Sequence, residues 1–392
     1  MPSLPALLAR SRLVLVGTVT SVESYEAGLL AVARVRPDEL LKGSHEGEIA
    51  VVERHDLPSA PDLLQTGDRV VLFLEPARRS SSLLRALPEG RYFEPTEGRH
   101  GAIRGSAPEV NEVADIVRRL VAASRAPEPD IVRRRAQERA LVFAQIGARH
   151  PALVADGAAA LGELSELAAT LEPAEQRTLT AALARTDLPA WVRMRLLESI
   201  GNAGLVALVP AIQALPDPDA QVLEASWDAL RRLGEPPRSR ELQRRLASAD
   251  PTIREAAVRA LALTREPGTV RQIERVALED REQAVRTAAA EALGKADARE
   301  AVPALERIFP RADWPARQAA GRALLALGGR SAQEALGRLV FRGERETEIY
   351  ALTLLLVSGI SQDDPLLEQI RTTHPDEQVR HVASEGFPRH EH

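Results

Sequence analysis

The chain has 392 residues, 44% of them apolar and 3% aromatic, enough for two or three domains around aliphatic cores. Its 51 basic and 56 acidic residues leave a net charge of −5, which argues against a generic polyanion binder. The absence of cysteine excludes disulfides, thiolate metal sites and a thiol nucleophile.

Only Lys42 and Lys295 are lysines. That skew reads as the codon usage of a GC-rich bacterial genome, so the number of arginines is no evidence for function. No run of about eighteen apolar residues occurs, and the N-terminus lacks a basic segment followed by a long apolar core. Neither a membrane span nor a signal peptide is expected. The compartment stays open: cytoplasmic as read, or exported to the periplasm or beyond if a leader precedes Pro2 in the native gene.

In chain order, the first element is a short helix around Leu7-Leu8-Ala9-Arg10. Leu13 to Val22 follows as a strand, β-branched and alternating only in its second half, so its start should be buried on both faces. Further strands are expected at Leu29 to Val35, Glu48 to Val52 and Arg69 to Leu74. Turn-rich stretches at Lys42-Gly43-Ser44, Pro58 to Pro61 and Thr66-Gly67-Asp68 separate them. Short strands at such spacing suggest a small barrel. Arg78 to Gly105, with Ser80-Ser81-Ser82, Pro88-Glu89-Gly90 and Gly98-Arg99-His100-Gly101, reads as an exposed loop and closing hairpin, with Arg91-Tyr92-Phe93 as a strand.

The helix at Leu7 to Arg10, the strand Leu13 to Val22, Leu40-Leu41-Lys42-Gly43 and Gly67-Asp68-Arg69-Val70-Val71-Leu72-Phe73-Leu74 together resemble the bacterial branch of the netrin-like barrels, related to tissue inhibitors of metalloproteinases. The resemblance covers residues 1–105 and implies an OB fold. It does not carry protease inhibition, because the N-terminal cysteine that those inhibitors place on zinc is absent.

From Pro108 the pattern turns helical, with Val110, Val113, Ile116, Val117, Leu120 and Val121 on one face, until Ala126-Pro127-Glu128-Pro129 interrupts it. Residues 106–129 are read as helix and linker. Residues 130–187, with helices around Ile131 to Ile146, Pro151 to Leu171 and Pro173 to Ala184, read as an irregular helical cap.

Residues 188–392 repeat. With the residue after the first apolar position as marker, Arg193, Leu223, Arg254, Arg286, Arg317, Tyr350 and Arg380 follow one another at 30, 31, 32, 31, 33 and 30 residues. Two helices fit each period, and a unit with one apolar face per helix buries it only by stacking on its neighbours, which is a solenoid. The phrase Asp280-Arg-Glu-Gln-Ala-Val285-Arg286-Thr-Ala-Ala-Ala-Glu-Ala-Leu293-Gly294 resembles HEAT repeats of the short kind related to phycobilin-lyase repeats. The expected architecture is therefore multidomain, an OB-type barrel followed by an all-α HEAT-type solenoid.

Within a unit, Asp or Glu at the start of the first helix should cap it, and alanines should let helices approach closely. Arg254, Arg286 and Arg317 are expected to bridge to acids of their own or the next unit. Trp191, Trp227 and Trp314 are expected to pack between units. On the second helices, Arg244, Arg275, Arg307 and Arg338 recur at 31, 32 and 31 residues and should stripe one surface. Such a stripe is either a track for an acidic segment or a solvated face offset by Glu274 and Glu306.

Catalytic patterns are missing: no HExxH, GxSxG, phosphate-binding glycine loop or dinucleotide fingerprint occurs. The histidines stand at 45, 55, 100, 150, 374, 381, 390 and 392, with His374 and His381 two turns apart, and no metal or cofactor is expected. Asp363-Asp364 before Pro365 reads as a helix cap.

The expected function is a non-catalytic protein-binding scaffold. A first alternative, implied by the resemblance, is a lyase-like or chaperone subunit acting on a protein-bound chromophore. A second is nucleic-acid binding through the barrel, for which residues 1–75 offer only Tyr25 and Phe73 as aromatics.

Overall fold

The structure, a computed structural model, describes residues 2–25, 29–54, 64–77, 87–125, 129–164, 167–215, 219–237, 239–264, 266, 268–296 and 298–385. The turn expected at Pro58 to Pro61, Ser80 to Ser82, Ala126 to Glu128, His55, His390 and His392 lie outside them. The chain forms two compact units, residues 1–216 and 217–392.

The first unit opens with α1 (Leu4–Arg10), capped by Ser3, and continues into strands β1 (Leu13–Tyr25), β2 (Leu30–Lys42), β3 (Ile49–Arg54), β4 (Arg69–Pro76), β5 (Tyr92–Pro95) and β6 (Ala102–Arg104). They form one sheet in the order β1-β2-β3-β5-β4-β6, in which β4 also pairs with β1 and only β3 and β5 run parallel. β1 is buried on both faces at its start, as its unbroken apolar run predicts. Leu13, Leu15 and Val19 join Val35, Ile49, Val51 and Leu72 in one cluster, while Val14 and Val16 join Val71 and Phe73 in another.

That second cluster is closed by α1 and by α2 (Ala107–Arg125), through Leu4, Leu7, Val110, Val113 and Val117. Leu40 to Gly43 explains itself here. Leu41 enters the core, Lys42 Nζ donates to the Leu8 carbonyl at 2.6 Å, and Gly43 turns at a positive φ of 82°. A Cβ on Gly43 would stand 2.6 Å from the Arg12 carbonyl oxygen, so only glycine fits.

The same unit carries α3 (Ile131–Ile146), α4 (Pro151–Leu161), α5 (Leu167–Thr170), α6 (Pro173–Leu183), α7 (Ala190–Asn202) and α8 (Val209–Gln213). Helices α3 and α4 approach closely at Gly157, where a Cβ would meet Gln145 Cβ, an Ile146 methylene and the Val142 carbonyl, all at 2.9 Å. The preceding residue, half-buried Asp156, accepts from the Leu4 backbone N–H at 3.1 Å and the Gln145 amide at 2.7 Å. Burial raises the Asp156 carboxyl above the usual range, against the pull of these two bonds and of Arg195.

The second unit is helical: α9 (Ala220–Arg232), α10 (Ser239–Leu246), α11 (Pro251–Leu261), α12 (Thr269–Glu279), α13 (Gln283–Leu293), α14 (Ala298–Ile308), α15 (Trp314–Leu327), α16 (Gly329–Leu339), α17 (Arg345–Val357), α18 (Pro365–Thr373) and α19 (Glu377–Glu385). First helices α9, α11, α13, α15, α17 and α19 pack in sequence to form one layer, and α12, α14, α16 and α18 pack in sequence in the other. Close stacking follows from small side chains at the seams: Ala256, Ala257, Ala288, Ala289, Ala319 and Ala320 are all fully buried.

Candidate interaction surface of the helical repeats

Three successive repeats begin with an aspartate that accepts a backbone N–H at the start of the first helix, and two of these acids also hold the preceding repeat. Asp250 accepts from the Thr252 N–H at 2.9 Å, Asp280 from Glu282 at 2.9 Å and Asp313 from Ala316 at 3.2 Å. Asp280 in addition takes a forked pair of bonds from Arg254, both 2.9 Å, and Asp313 takes Arg286 Nε at 2.6 Å. The Arg254 guanidinium also donates to the Ser248 and Ala249 carbonyls, and Arg286 to that of Asp280.

Arg254 is buried, with a side chain 4% exposed, so these partners compensate the desolvation of its charge. Burial would raise the Asp280 carboxyl, but the bonds from Arg254 and from the Glu282 N–H outweigh it and hold the group below its ordinary value. Arg317 differs from its two equivalents. It donates to the Phe309 and Ala312 carbonyls and lies over the Trp314 ring at 5.8 Å, and no acid bond is formed among the described residues. Arg380 likewise donates to the His374 and Pro375 carbonyls. These marker arginines are occupied by the fold itself.

The second-helix row divides. Arg307 makes a fork to Glu274 at 2.6 and 2.8 Å, and Arg338 a fork to Glu306 at 3.0 and 2.9 Å, with Arg342 joining Glu306 at 3.2 Å. Each glutamate belongs to the preceding second helix, so this end of the row is a ladder of alternating charge. Glu306 is held below its ordinary value, first by the bond from Arg338.

At the other end, exposed Arg244 and Arg271 form no hydrogen bond or ion pair among the described residues, and Arg275 faces only Glu279 of its own helix, at 3.7 Å. Between α10 and α12 lies a groove of about 730 Å³, lined by Leu246, Arg271, Arg275 and Val276 together with the carboxylates of Glu279 and Asp280. The Gln272 side-chain oxygen is buried there without a partner. The groove thus presents two apolar side chains and the guanidinium groups of Arg271 and Arg275 beside two carboxylates, of which Asp280 is taken up by Arg254.

Residues 239–325 match the model of HEAT repeats. The matched HEAT segment contains α10 to the greater part of α15, and with it the groove and the first three arginines of the row. No curated protein matches the chain. Among solved structures, human deoxyhypusine hydroxylase in complex with glycerol is similar at 19% identity, over 58% of this chain and 90% of that one, with a TM-score of 0.26. A superposition that loose carries no argument about fold or chemistry.

The remaining sequence candidates have structural occupations. His374 is buried: its Nε2 lies 3.0 Å from the Val340 carbonyl and its Nδ1 accepts from the Asp376 N–H, so both ring nitrogens are engaged by the fold. No group of three metal-ligating residues occurs among the described residues. Asp364 caps α18 through the Leu366 N–H and receives Arg330 at 2.5 Å. Trp227 is buried as a packing residue should be; Trp191 and Trp314, each in the first turn of its helix, are 45% and 38% exposed, and Trp314 still packs between repeats on Tyr350, with ring centroids 5.3 Å apart. Phe73 is fully buried, and Tyr25 is half-buried against the Leu30 cluster with its hydroxyl donating to Glu23. No described helix is long and apolar enough to cross a membrane.

Proposed function

We propose that the protein is a non-catalytic scaffold whose HEAT solenoid receives an acidic peptide segment of a partner along the second-helix row, seated at the α10–α12 groove. The observation that carries this reading is the division of the row. Arg307 and Arg338 are neutralised by Glu274 and Glu306, while in the groove lining Arg271 has no ion-pair partner among the described residues, Arg275 faces only Glu279 at 3.7 Å, and the second carboxylate, Asp280, is held by Arg254. Forked bonds from arginine to carboxylate are the strong polar contacts available to such a surface. For the first unit, we read the six-stranded sheet as an OB-like, netrin-like barrel. Support comes from the pairing of β4 back onto β1, which makes β1-β2-β3-β5-β4 a cycle of five strands.

The test is fluorescence anisotropy with a labelled twelve-residue peptide of alternating Glu and Leu, against its Lys counterpart. The acidic peptide should bind, more weakly as salt rises, and Arg244→Glu with Arg275→Glu should cost at least tenfold. Equal affinity for both peptides, or an unchanged affinity in the double variant, would refute the groove. Tighter binding of a labelled oligonucleotide than of the acidic peptide would favour the first unit as the functional surface instead.

A further inference from the structure

We propose that the first-helix layer carries a second binding site, a pocket at the C-terminal ends of α9, α11 and α13 that seats one large apolar side chain of an acidic partner segment. The pocket measures about 190 Å³ and opens to solvent. A cavity of roughly 150 Å³ already admits benzene, so this one has room for a phenylalanine or leucine side chain. Trp227, only 4% exposed, forms one wall. Pro236 and Pro237, whose rings fix the backbone, form another. Across the opening stands Leu263, 46% exposed although it follows directly on the buried end of α11. An open cavity with an aromatic wall, rigid sides and an uncovered leucine has the composition of an anchor pocket.

The charges at the rim determine which segment fits. Glu224 is paired with Arg259 at 3.0 Å, and Asp228 with Arg231 at 2.6 Å and Arg232 at 2.8 Å. Lys295, just beyond α13, lines the same pocket, and its ammonium group has neither a hydrogen bond nor an ion pair among the described residues. A lysine after a helix C-terminus favours the helix dipole, which explains its charge but not the pocket it borders. The surplus positive charge selects an apolar side chain flanked by a carboxylate. This site lies in the opposite helical layer from the α10–α12 groove and stands whether or not that groove binds anything.

The experiment uses the full chain and ¹⁹F NMR with three probes: acetyl-Asp-(4-fluorophenylalanyl)-Asp-amide, its Asn counterpart, and free 4-fluorophenylacetate. The acidic tripeptide should bind saturably and about fivefold tighter than the neutral one, the scale of one exposed charge pair. Leu263→Glu, at an exposed position, should weaken it at least tenfold. Lys295→Glu should abolish the preference for Asp over Asn, and Lys295→Arg should keep it. Absence of saturable tripeptide binding, or indifference to Leu263→Glu in protein with wild-type circular dichroism, would overturn the proposal. Binding of 4-fluorophenylacetate without the tripeptide would also overturn it, since the occupant would then be a small aromatic acid.

Discussion

Asp280→Ala tests the clamp between repeats most directly. The substitution removes both bonds from Arg254 and the cap on the Glu282 N–H, and leaves a guanidinium that is 4% exposed with only the Ser248 and Ala249 carbonyls as partners. Stranding one partner of a buried pair costs about 3–5 kcal/mol. For a unit of this size, each kcal/mol lowers the melting temperature by about 2–4 °C, so the second unit should melt about 6–20 °C earlier. Asp280→Asn, which keeps a cap acceptor and one bond to Arg254, should fall between the variant and the parent. Arg254→Met combined with Asp280→Leu should recover most of the loss, because no charge is then left unpaired. The sign of the pH dependence follows from the lowered Asp280 carboxyl. Its contribution is complete above the unfolded value, near pH 4, and is lost as pH falls through the lower folded value. Thermal melts by circular dichroism, with hydrogen exchange to assign the melting unit, provide the measurement. A loss below about 1 kcal/mol for Asp280→Ala, or no recovery in the double variant, would refute the clamp.

Arg338→Ala, by contrast, should cost less than about 1 kcal/mol by the same melts, because its fork to Glu306 lies half exposed to solvent. Gly157→Ala should destabilise the first unit by about 1–3 kcal/mol in urea titrations despite the better helix propensity of alanine, since its Cβ would meet atoms of α3 at 2.9 Å. Asp156→Ala should cost about 1–3 kcal/mol at pH 7 by leaving the Leu4 N–H and the Gln145 amide unpaired. Asp156→Asn should be milder and should flatten the pH profile: with a raised folded value, the stability from Asp156 is full below the unfolded carboxylate value and declines as pH rises through the folded one.

The repeat was readable in the sequence because its two markers have local causes. The capping acid must sit at the helix start, and Arg254 and Arg286 must return to the carbonyls of the turn just before, so neither can drift in spacing. The unbroken apolar start of β1 was likewise readable, since only a strand covered on both sides tolerates it. The arginine row was visible, but its division was not. The fork from Arg307 to Glu274 spans 33 residues and depends on how far α14 is offset along α12, which no local pattern encodes. The Trp227 pocket lay hidden for a related reason: Pro236, Pro237 and Lys295 come from connections between helices, whose lengths vary outside the period. The exposure of Trp191 and Trp314 depends on their place in the first turn, a boundary that composition locates only to within a few residues.

Asp280 and Asp313 each open one structural unit and fasten it to its predecessor, at sequence offsets of 26 and 27 from the arginines they receive. Duplication or deletion of an entire module preserves every such rivet, whereas a short insertion inside that interval tears one open. The array can therefore lengthen or shorten in whole-module steps at little cost, while the segment joining a marker arginine to the next capping acid tolerates almost no change in length.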